Sequence, residues 1–140
     1  MRYMGLDLGT KTLGVSISDL TLTIASPLTI IRFNDGDYDS IYSKLKQIID
    51  EYEIGKIILG LPKNMNNTIG ERGNTTLEFK KKLFEWYGIE VIMQDERLTT
   101  VEATNYLLEV DMSRKKRKKK IDALAANIIL QTYLDKERNR

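Results

Sequence analysis

The sequence contains no cysteine and no histidine among its 140 residues. Without cysteine there are no disulfides and no thiolate metal sites. Without histidine there is no Ser-His or Cys-His nucleophile and no histidine-ligated zinc. Any acid–base or metal chemistry must therefore rest on carboxylates, lysine, tyrosine and the backbone. Oxygen ligands of this kind favour a hard cation such as Mg²⁺ or Mn²⁺.

Long hydrophobic runs are also missing, because no stretch approaches the roughly 20 apolar residues of a membrane span. The N-terminus enters a strand pattern directly, without the architecture of a signal peptide. We therefore expect a cytoplasmic protein with no membrane partner. Apolar residues make up 41% of the chain and charged residues 30%, which predicts one folded domain over residues 1–140 and not a disordered chain.

Positive charge is concentrated in one run of seven residues. The net charge of the chain is only +2, so the rest of the sequence is mildly acidic. A local basic cluster is either a solvated loop or a surface that binds phosphate. Because the run lies between two predicted structured segments, we interpret it as a mobile loop that contacts nucleic acid. Its residues are Arg114, Lys115, Lys116, Arg117, Lys118, Lys119 and Lys120.

Hydrophobic periodicity predicts the element order β-β-β-α-β-α-β-α-α. The connection between the first two strands is so short that they form an antiparallel hairpin. Crossovers through the first two helices predict parallel strands, so we expect a mixed α/β sheet with helices on its faces. Strands are predicted at residues 2–8, 13–18, 25–32, 56–61 and 89–94, and helices at 37–52, 74–87, 99–109 and about 119–136. The polar residues 63–73 are predicted to be a loop.

Asp7 lies near the end of the first predicted strand. Alternation along the strand places it on the same face as Tyr3 and Gly5. The following Gly9 lets the backbone approach a ligand closely. An aspartate that caps a turn would give the same pattern, so Asp7 alone does not decide between a structural and a metal-binding role.

Asp122 lies on an otherwise apolar face of the last predicted helix. At helical spacing its neighbours include Ala125, Ala126, Ile129 and Tyr133, which are residues that pack against a sheet. An ionised aspartate there is costly to desolvate unless a metal, lysine or arginine meets it. The alternative is an acid favoured by the helix macrodipole, because Asp122 is in the first two turns.

Asp95, Glu96 and Arg97 directly follow the fifth predicted strand. Parallel strands present functional groups at their carboxyl ends. These residues are therefore either a local surface ion pair or a metal ligand with a phosphate contact. Together with Asp7 and Asp122 they could converge on one metal that activates water for phosphodiester hydrolysis.

Four segments resemble the motif series of the YqgF (RuvX-like) family, and they span essentially the whole chain. The resemblance implies an RNase H-like fold with sheet order 3-2-1-4-5 and strand 2 antiparallel. It also implies a nuclease, regarded either as processing the 5′ end of pre-16S ribosomal RNA or as resolving Holliday junctions. The acidic site then falls on Asp7, Glu96 and Asp122, with Mg²⁺ or Mn²⁺. The segments are Gly5–Lys11, Gly60–Pro62, Asp95–Thr100 and Lys120–Ala126.

Two segments depart from the family pattern. Residues 64–67, Asn-Met-Asn-Asn, lack the acid and glycine that often follow Pro62. In resolvases of the RuvC type the second carboxylate comes from the strand beside the first, whereas here that strand ends in residues 60–62 without an acid. Glu96 would have to reach the site from the next strand. The number of metals in the site, one or two, therefore stays open.

The leading hypothesis is a hydrolase that cleaves phosphodiester bonds in structured RNA during ribosome biogenesis. Asp7 and Asp122 would hold the metal, and Glu96 would be a third ligand or would orient the attacking water. Phosphate contacts are expected from Lys11, Lys63 and Arg97, besides the basic run.

Three alternatives stay open. A Holliday junction resolvase acting on branched DNA requires a homodimer with two sites, whereas the RNA nuclease could be a monomer. A non-catalytic RNA-binding factor for ribosome assembly would use the basic run without cleavage. Asp-Leu-Gly-Thr at residues 7–10 also opens the phosphate-binding hairpin of actin-like ATPases and sugar kinases, but these need two such domains.

Overall fold

The centre of the protein is a five-stranded mixed sheet. The computed structural model describes residues 1–62, 70–95 and 114–139, and of the first nine residues in the last range it describes the backbone only. A 3-10 turn (Tyr38–Ile41) precedes the first helix. Within these ranges the elements are β1 (Arg2–Leu8), β2 (Thr12–Ser18), β3 (Ala25–Arg32), α1 (Tyr42–Tyr52), β4 (Ile54–Leu61), α2 (Glu71–Tyr87), β5 (Glu90–Asp95) and α3 (Arg114–Arg138).

The strand order is β3-β2-β1-β4-β5. β2 pairs antiparallel with both β1 and β3. β4 pairs parallel with β1 and with β5. The predicted order, the N-terminal hairpin and the parallel crossovers are thus confirmed. β1 is the central strand, so its carboxyl end lies in the middle of the sheet, beside the carboxyl end of β4.

One face of the sheet packs against α1 and α2. Met4 and Leu6 of β1 are fully buried there with Leu45 of α1 and with Phe79 and Leu83 of α2. Burying one such side chain contributes roughly 1.5–3 kcal/mol. This large apolar cluster fixes the position of β1 from one side.

The opposite face packs against α3 through a second apolar cluster, and around Gly5 small residues permit a close contact. A Cβ atom built on Gly5 would lie 2.7 Å from Cβ of Leu130 and 2.8 Å from the carbonyl oxygen of Ala126. The hydroxyl of Ser16 in β2 donates a hydrogen bond to that same carbonyl at 2.9 Å. Glycine at position 5 therefore permits a close approach that a side chain would prevent.

The start of β3 is also attached to α3, through the side chain of one glutamine. The side-chain Oε1 of Gln131 accepts a hydrogen bond from the backbone N–H of Ala25 at 2.8 Å. Its Nε2 donates to the carbonyl of Thr23 at 2.9 Å. The helix thus contacts β1, β2 and β3, which holds it across the sheet.

The start of α3 differs from the prediction. The basic run was expected to be a loop ahead of a helix beginning near Lys119, but the helix already begins at Arg114. Lysine and arginine are good helix formers, and like-charge repulsion on a helix costs only a few tenths of a kcal/mol per pair. Extending a helix that packs against the sheet outweighs that repulsion. The run is therefore a helical segment and not a mobile loop.

The remaining helix predictions have mixed outcomes. α2 begins at Glu71, three residues before the predicted start, so the end of the expected loop is helical. Its predicted stop is confirmed, because Gly88 has the left-handed φ of 67° and its N–H donates to the Phe84 carbonyl. The helix predicted at residues 99–109 lies outside the described residues. In the described ranges, none of the helices has the length and apolarity required to cross a bilayer.

Candidate functional site

Asp7 lies at the carboxyl end of β1 on the face that α3 covers. Strand alternation puts Asp7 on the side of Tyr3 and Gly5, while Leu8 belongs to the α1 and α2 cluster. Asp7 is half-buried and pairs in register with Gly14 of β2. The predicted face of Asp7 is therefore confirmed.

Helix α3 runs antiparallel to β1, which can be read from matched positions on the two elements. The rings of Tyr3 and Tyr133 have centroids 6.3 Å apart, and Gly5 lies against Leu130 and Ala126. Two strand residues advance by about 6.6 Å, close to the 5.4 Å of one helical turn. Continued toward the carboxyl end of β1, this alignment would bring helix positions near 122 opposite strand position 7.

The neighbouring parallel strands present different side chains on the α3 face at this level. Ile58 of β4 packs against α3, so Gly60 follows it on the same face and contributes no carboxylate. In β5, Ile92 packs against the α3 cluster and the amide oxygen of Gln94 accepts from Lys136 at 3.5 Å. Glu96 follows Gln94 by two residues in the sequence and lies outside the described part of the chain.

The described residues include only part of the predicted site. Glu96, Lys63 and Arg97 lie outside them, and Asp122 and residues 114–120 are described as helical backbone only. Lys11 is exposed in the turn after β1. Among the side chains that are described, no three acids gather in a way that could hold a metal. Because Asp7 is the only one of the three predicted ligands among those side chains, the metal site stays a prediction.

Arg72 is a residue near Asp7 that the sequence analysis missed. It lies in the first turn of α2, and its guanidinium donates a hydrogen bond to the carbonyl oxygen of Leu8 at 2.7 Å. This contact fixes the backbone immediately after Asp7. The signal in the sequence was an arginine two residues after Gly70, but assigning residues 63–73 to a loop concealed that Arg72 lies in the first turn of a helix.

The opposite end of the β1–α3 contact carries a different set of groups. The ammonium of Lys56 lies 4.9 Å from the ring centroid of Tyr3 and 5.7 Å from that of Tyr133. Burial opposes its charge, but a hydrogen bond from Lys56 to the Tyr133 hydroxyl and the nearby Tyr3 and Glu90 raise the pKa of Lys56 above its ordinary value. These groups stabilise a charged lysine at the sheet end remote from Asp7.

Comparison with known families gives one match over almost the whole chain. The profile described as "RuvX: Holliday junction resolvase" matches residues 1–136. A protein of Thermoanaerobacter pseudethanolicus named "Putative pre-16S rRNA nuclease" is 54% identical, with 100% of both chains covered. A Bacillus subtilis protein of the same name is 50% identical and covers 96% of this chain and 98% of its own.

Solved structures match this fold at low sequence identity. Thermus thermophilus RuvC in complex with a Holliday junction substrate has a TM-score of 0.59 at 13% identity, covering 99% of this chain and 96% of its own. The Fowlpox virus resolvase bound to Holliday junction DNA has a TM-score of 0.58 at 13% identity, covering 98% and 99%. At such identity the likeness establishes the fold alone, and it confirms the RNase H-like architecture expected from the sequence.

Proposed function

This chain belongs to the RuvX family, and from that premise we propose that it is a metal-dependent nuclease that hydrolyses phosphodiester bonds in structured RNA. The substrate we propose is the 5′ end of pre-16S ribosomal RNA. Two full-length relatives at 50% and 54% identity carry a name with that activity. The observation that carries the proposal is the antiparallel alignment of α3 on β1.

That alignment supports a shared site for Asp7 and Asp122. Gly5 and Ala126 are in close contact, and Asp7 and Asp122 are the next positions toward the carboxyl end of β1. Helix position 122 is one turn before Ala126 on the face that meets the sheet. Glu96, two residues after Gln94, is proposed as the third carboxylate.

The proposed ligands suit a divalent cation with oxygen coordination. The chain has no histidine or cysteine, and Asp7 is a half-buried carboxylate at the carboxyl end of β1. Asp7, Glu96 and Asp122 would hold Mg²⁺ or Mn²⁺. When bound, such an ion lowers the pKa of water and offsets the charge that develops on the phosphate.

The protein's own residues would orient the substrate around this position. Arg72 holds the Leu8 carbonyl and so restrains the strand end that carries Asp7. Lys11 is exposed in the next turn and can contact a neighbouring phosphate. The helical basic run at residues 114–120 adds affinity that does not depend on base sequence and decreases as salt increases. Lys63 and Arg97 are further proposed phosphate contacts.

Substitution of the two proposed ligands tests the assignment. Asp7→Asn and Asp122→Asn should each reduce Mn²⁺-dependent cleavage of a pre-16S RNA fragment by on the order of a hundredfold, as when one group that stabilises transition-state charge is removed. Asp50→Asn is a matched control, because Asp50 pairs with Lys46 on the exposed surface of α1. Wild-type cleavage rates in both site variants would rule the assignment out.

Resolution of Holliday junctions is the second candidate, because the family description names it. That reaction needs two active sites related by two-fold symmetry. Cleavage of a four-way DNA junction in a symmetric pair of strands, together with a dimeric mass by light scattering, would favour it. Cleavage of the RNA fragment by a monomer would favour the first candidate.

A further inference from the structure

A cavity of about 330 Å³ lies beside the carboxyl end of β1, on the side of α1 and α2. We propose that it binds one ribonucleoside of the substrate strand, next to the cleaved phosphodiester, and that it distinguishes ribose from deoxyribose. This inference rests on the nuclease function proposed above. The main lining residues are Thr10, Asp35, Tyr38, Glu71, Arg72 and Thr75.

Size and charge indicate which part of a nucleotide fits. A volume of about 330 Å³ is at the lower end of the roughly 300–1,000 Å³ of pockets that bind small molecules, which suits a single nucleoside. The lining carries two carboxylates, Asp35 and Glu71, against one guanidinium, Arg72. Its charge therefore repels a phosphate and favours the uncharged sugar and base.

The cavity carries hydrogen-bond acceptors beside the donors of Arg72, Tyr38 and Thr10. The Thr75 hydroxyl donates to the Glu71 carbonyl at 3.2 Å, and the Thr76 hydroxyl donates to the Arg72 carbonyl at 2.9 Å. Their protons are used within the helix, so their oxygens offer lone pairs. The carboxylates likewise only accept. These acceptors suit a ligand that donates, and the ribose 2′-hydroxyl is a donor that DNA lacks.

One wall of the cavity is an aromatic ring in a fixed position. The ring centroid of Tyr38 lies 5.5 Å from that of Phe33 and 5.8 Å from that of Phe79. Phe33 and Phe79 are both buried, so Tyr38 is held in place before a ligand binds. A fixed aromatic side chain is a common contact surface for a base in single-stranded nucleic acid.

The cavity and Asp7 lie on opposite sides of the carboxyl end of β1, where Leu8 and Gly9 line the cavity. Asp7 is on the α3 face and the cavity is on the other face, so a strand must pass over the turn that follows β1 to reach both. The turn is compact, because the Gly9 N–H donates to the Thr12 carbonyl at 2.7 Å. From Asp7 to Gly9 the chain advances by roughly 7 Å. A phosphate near Asp7 could therefore have its neighbouring nucleoside in the cavity.

Binding measured without cleavage tests this inference. Fluorescence anisotropy would compare a labelled single-stranded RNA hexamer with the DNA hexamer of matching sequence, in EDTA. We expect the wild type to bind the RNA about threefold to tenfold more tightly, the range for one hydrogen bond. The double substitution Asp35→Ala with Glu71→Ala should bring the ratio of RNA to DNA affinity close to unity.

A matched control separates the cavity from general electrostatics. Asp39→Ala with Glu78→Ala removes the same charge from exposed positions outside the cavity on the neighbouring turn and on α2, and it should keep the wild-type ratio. Equal affinities for RNA and DNA in the wild type, or the same ratio in both double variants, would overturn the inference. If the wild type prefers RNA and the Asp35 and Glu71 double variant does not, but no metal-dependent cleavage occurs, the cavity inference stands and the nuclease function is rejected. Metal-dependent cleavage without a preference for RNA would support the nuclease function and reject the cavity inference.

Discussion

The two ends of the contact between β1 and α3 are built from different side chains. At the amino end of β1, Tyr3 and Tyr133 are in contact and Lys56 lies against both rings. Toward the carboxyl end, the missing side chain of Gly5 lets β1 approach Leu130 and the Ala126 carbonyl closely, and Asp7 follows two residues later. One end fills the space between strand and helix with bulky groups, and the other brings the two backbones together.

This difference separates stability from chemistry along one element pair. The aromatic and lysine contacts fix the spacing of helix and strand where no reaction is proposed. The glycine contact sets the spacing of strand and helix next to positions 7 and 122, where we propose that two carboxylates share an ion. Changes at the amino end should therefore affect stability, whereas changes at the carboxyl end should affect activity as well.

The largest effect is expected from Gly5→Ala. The added methyl group would meet Leu130 and Ala126, so we expect a loss of about 3 kcal/mol in the free energy of unfolding, as for overpacked cores, together with a loss of cleavage. Urea unfolding and a nuclease assay measure the two. Gly55→Ala is the control, because its methyl group would meet only the flexible side chain of Met1 among its nearest neighbours. Equal stability of the two variants would refute the close-contact account.

A smaller effect is expected at the amino end from Lys56→Met. The substitution removes a cation from two aromatic rings, which costs about 1 kcal/mol, while the exposed pair with Glu90 adds little. Cleavage should stay at the wild-type rate because the site is at the other end. Lys46→Met, which breaks an exposed pair on α1, is the control and should change urea stability less. Impaired cleavage in a stable Lys56→Met protein would contradict the separation of the two ends.

The smallest effect is expected from Asp135→Asn near the carboxyl end of α3. Hydrogen bonds from Arg138 and then Gln131 lower the pKa of Asp135 below its ordinary 3.8. A lowered folded-state pKa stabilises the fold above pH 3.8, and this contribution is lost as the pH falls through the folded-state value. The variant should lose a few tenths of a kcal/mol at neutral pH. In urea melts the difference should vanish in strong acid, and a difference that persists there would exclude an ionic origin.

The sequence predicted the sheet better than it predicted the contacts between elements. β1 and β3 have the predicted bounds because glycine and polar residues mark their ends, and the strand order followed from the family resemblance. The predicted start of α3 was wrong because repulsion among the seven cations suggested a loop. Helix propensity and packing against the sheet outweigh that repulsion. These outcomes reflect local patterns, which a sequence displays directly.

The missed contacts join residues that are far apart in the chain. Ser16 and Ala126 are separated by 110 positions, and Arg72 reaches Leu8 across 64. Neither residue type nor periodicity indicates such pairs, because they depend on how helices cross the finished sheet. The sequence and the family resemblance already assigned Asp7 and Asp122 to one proposed metal site, and the alignment of α3 on β1 adds a structural argument for it. Whether Glu96 joins them stays a prediction.

The most direct test of this account is a crystal structure of the protein soaked in Mn²⁺, with the ion located by anomalous scattering. We predict an ion bound jointly by carboxylate oxygens of Asp7 and Asp122, at about the 2.0–2.2 Å typical of small divalent cations and oxygen ligands. Carboxylates too far apart to share one ion, or an ion bound elsewhere with this position empty, would contradict the alignment of α3 on β1 as the basis of the site.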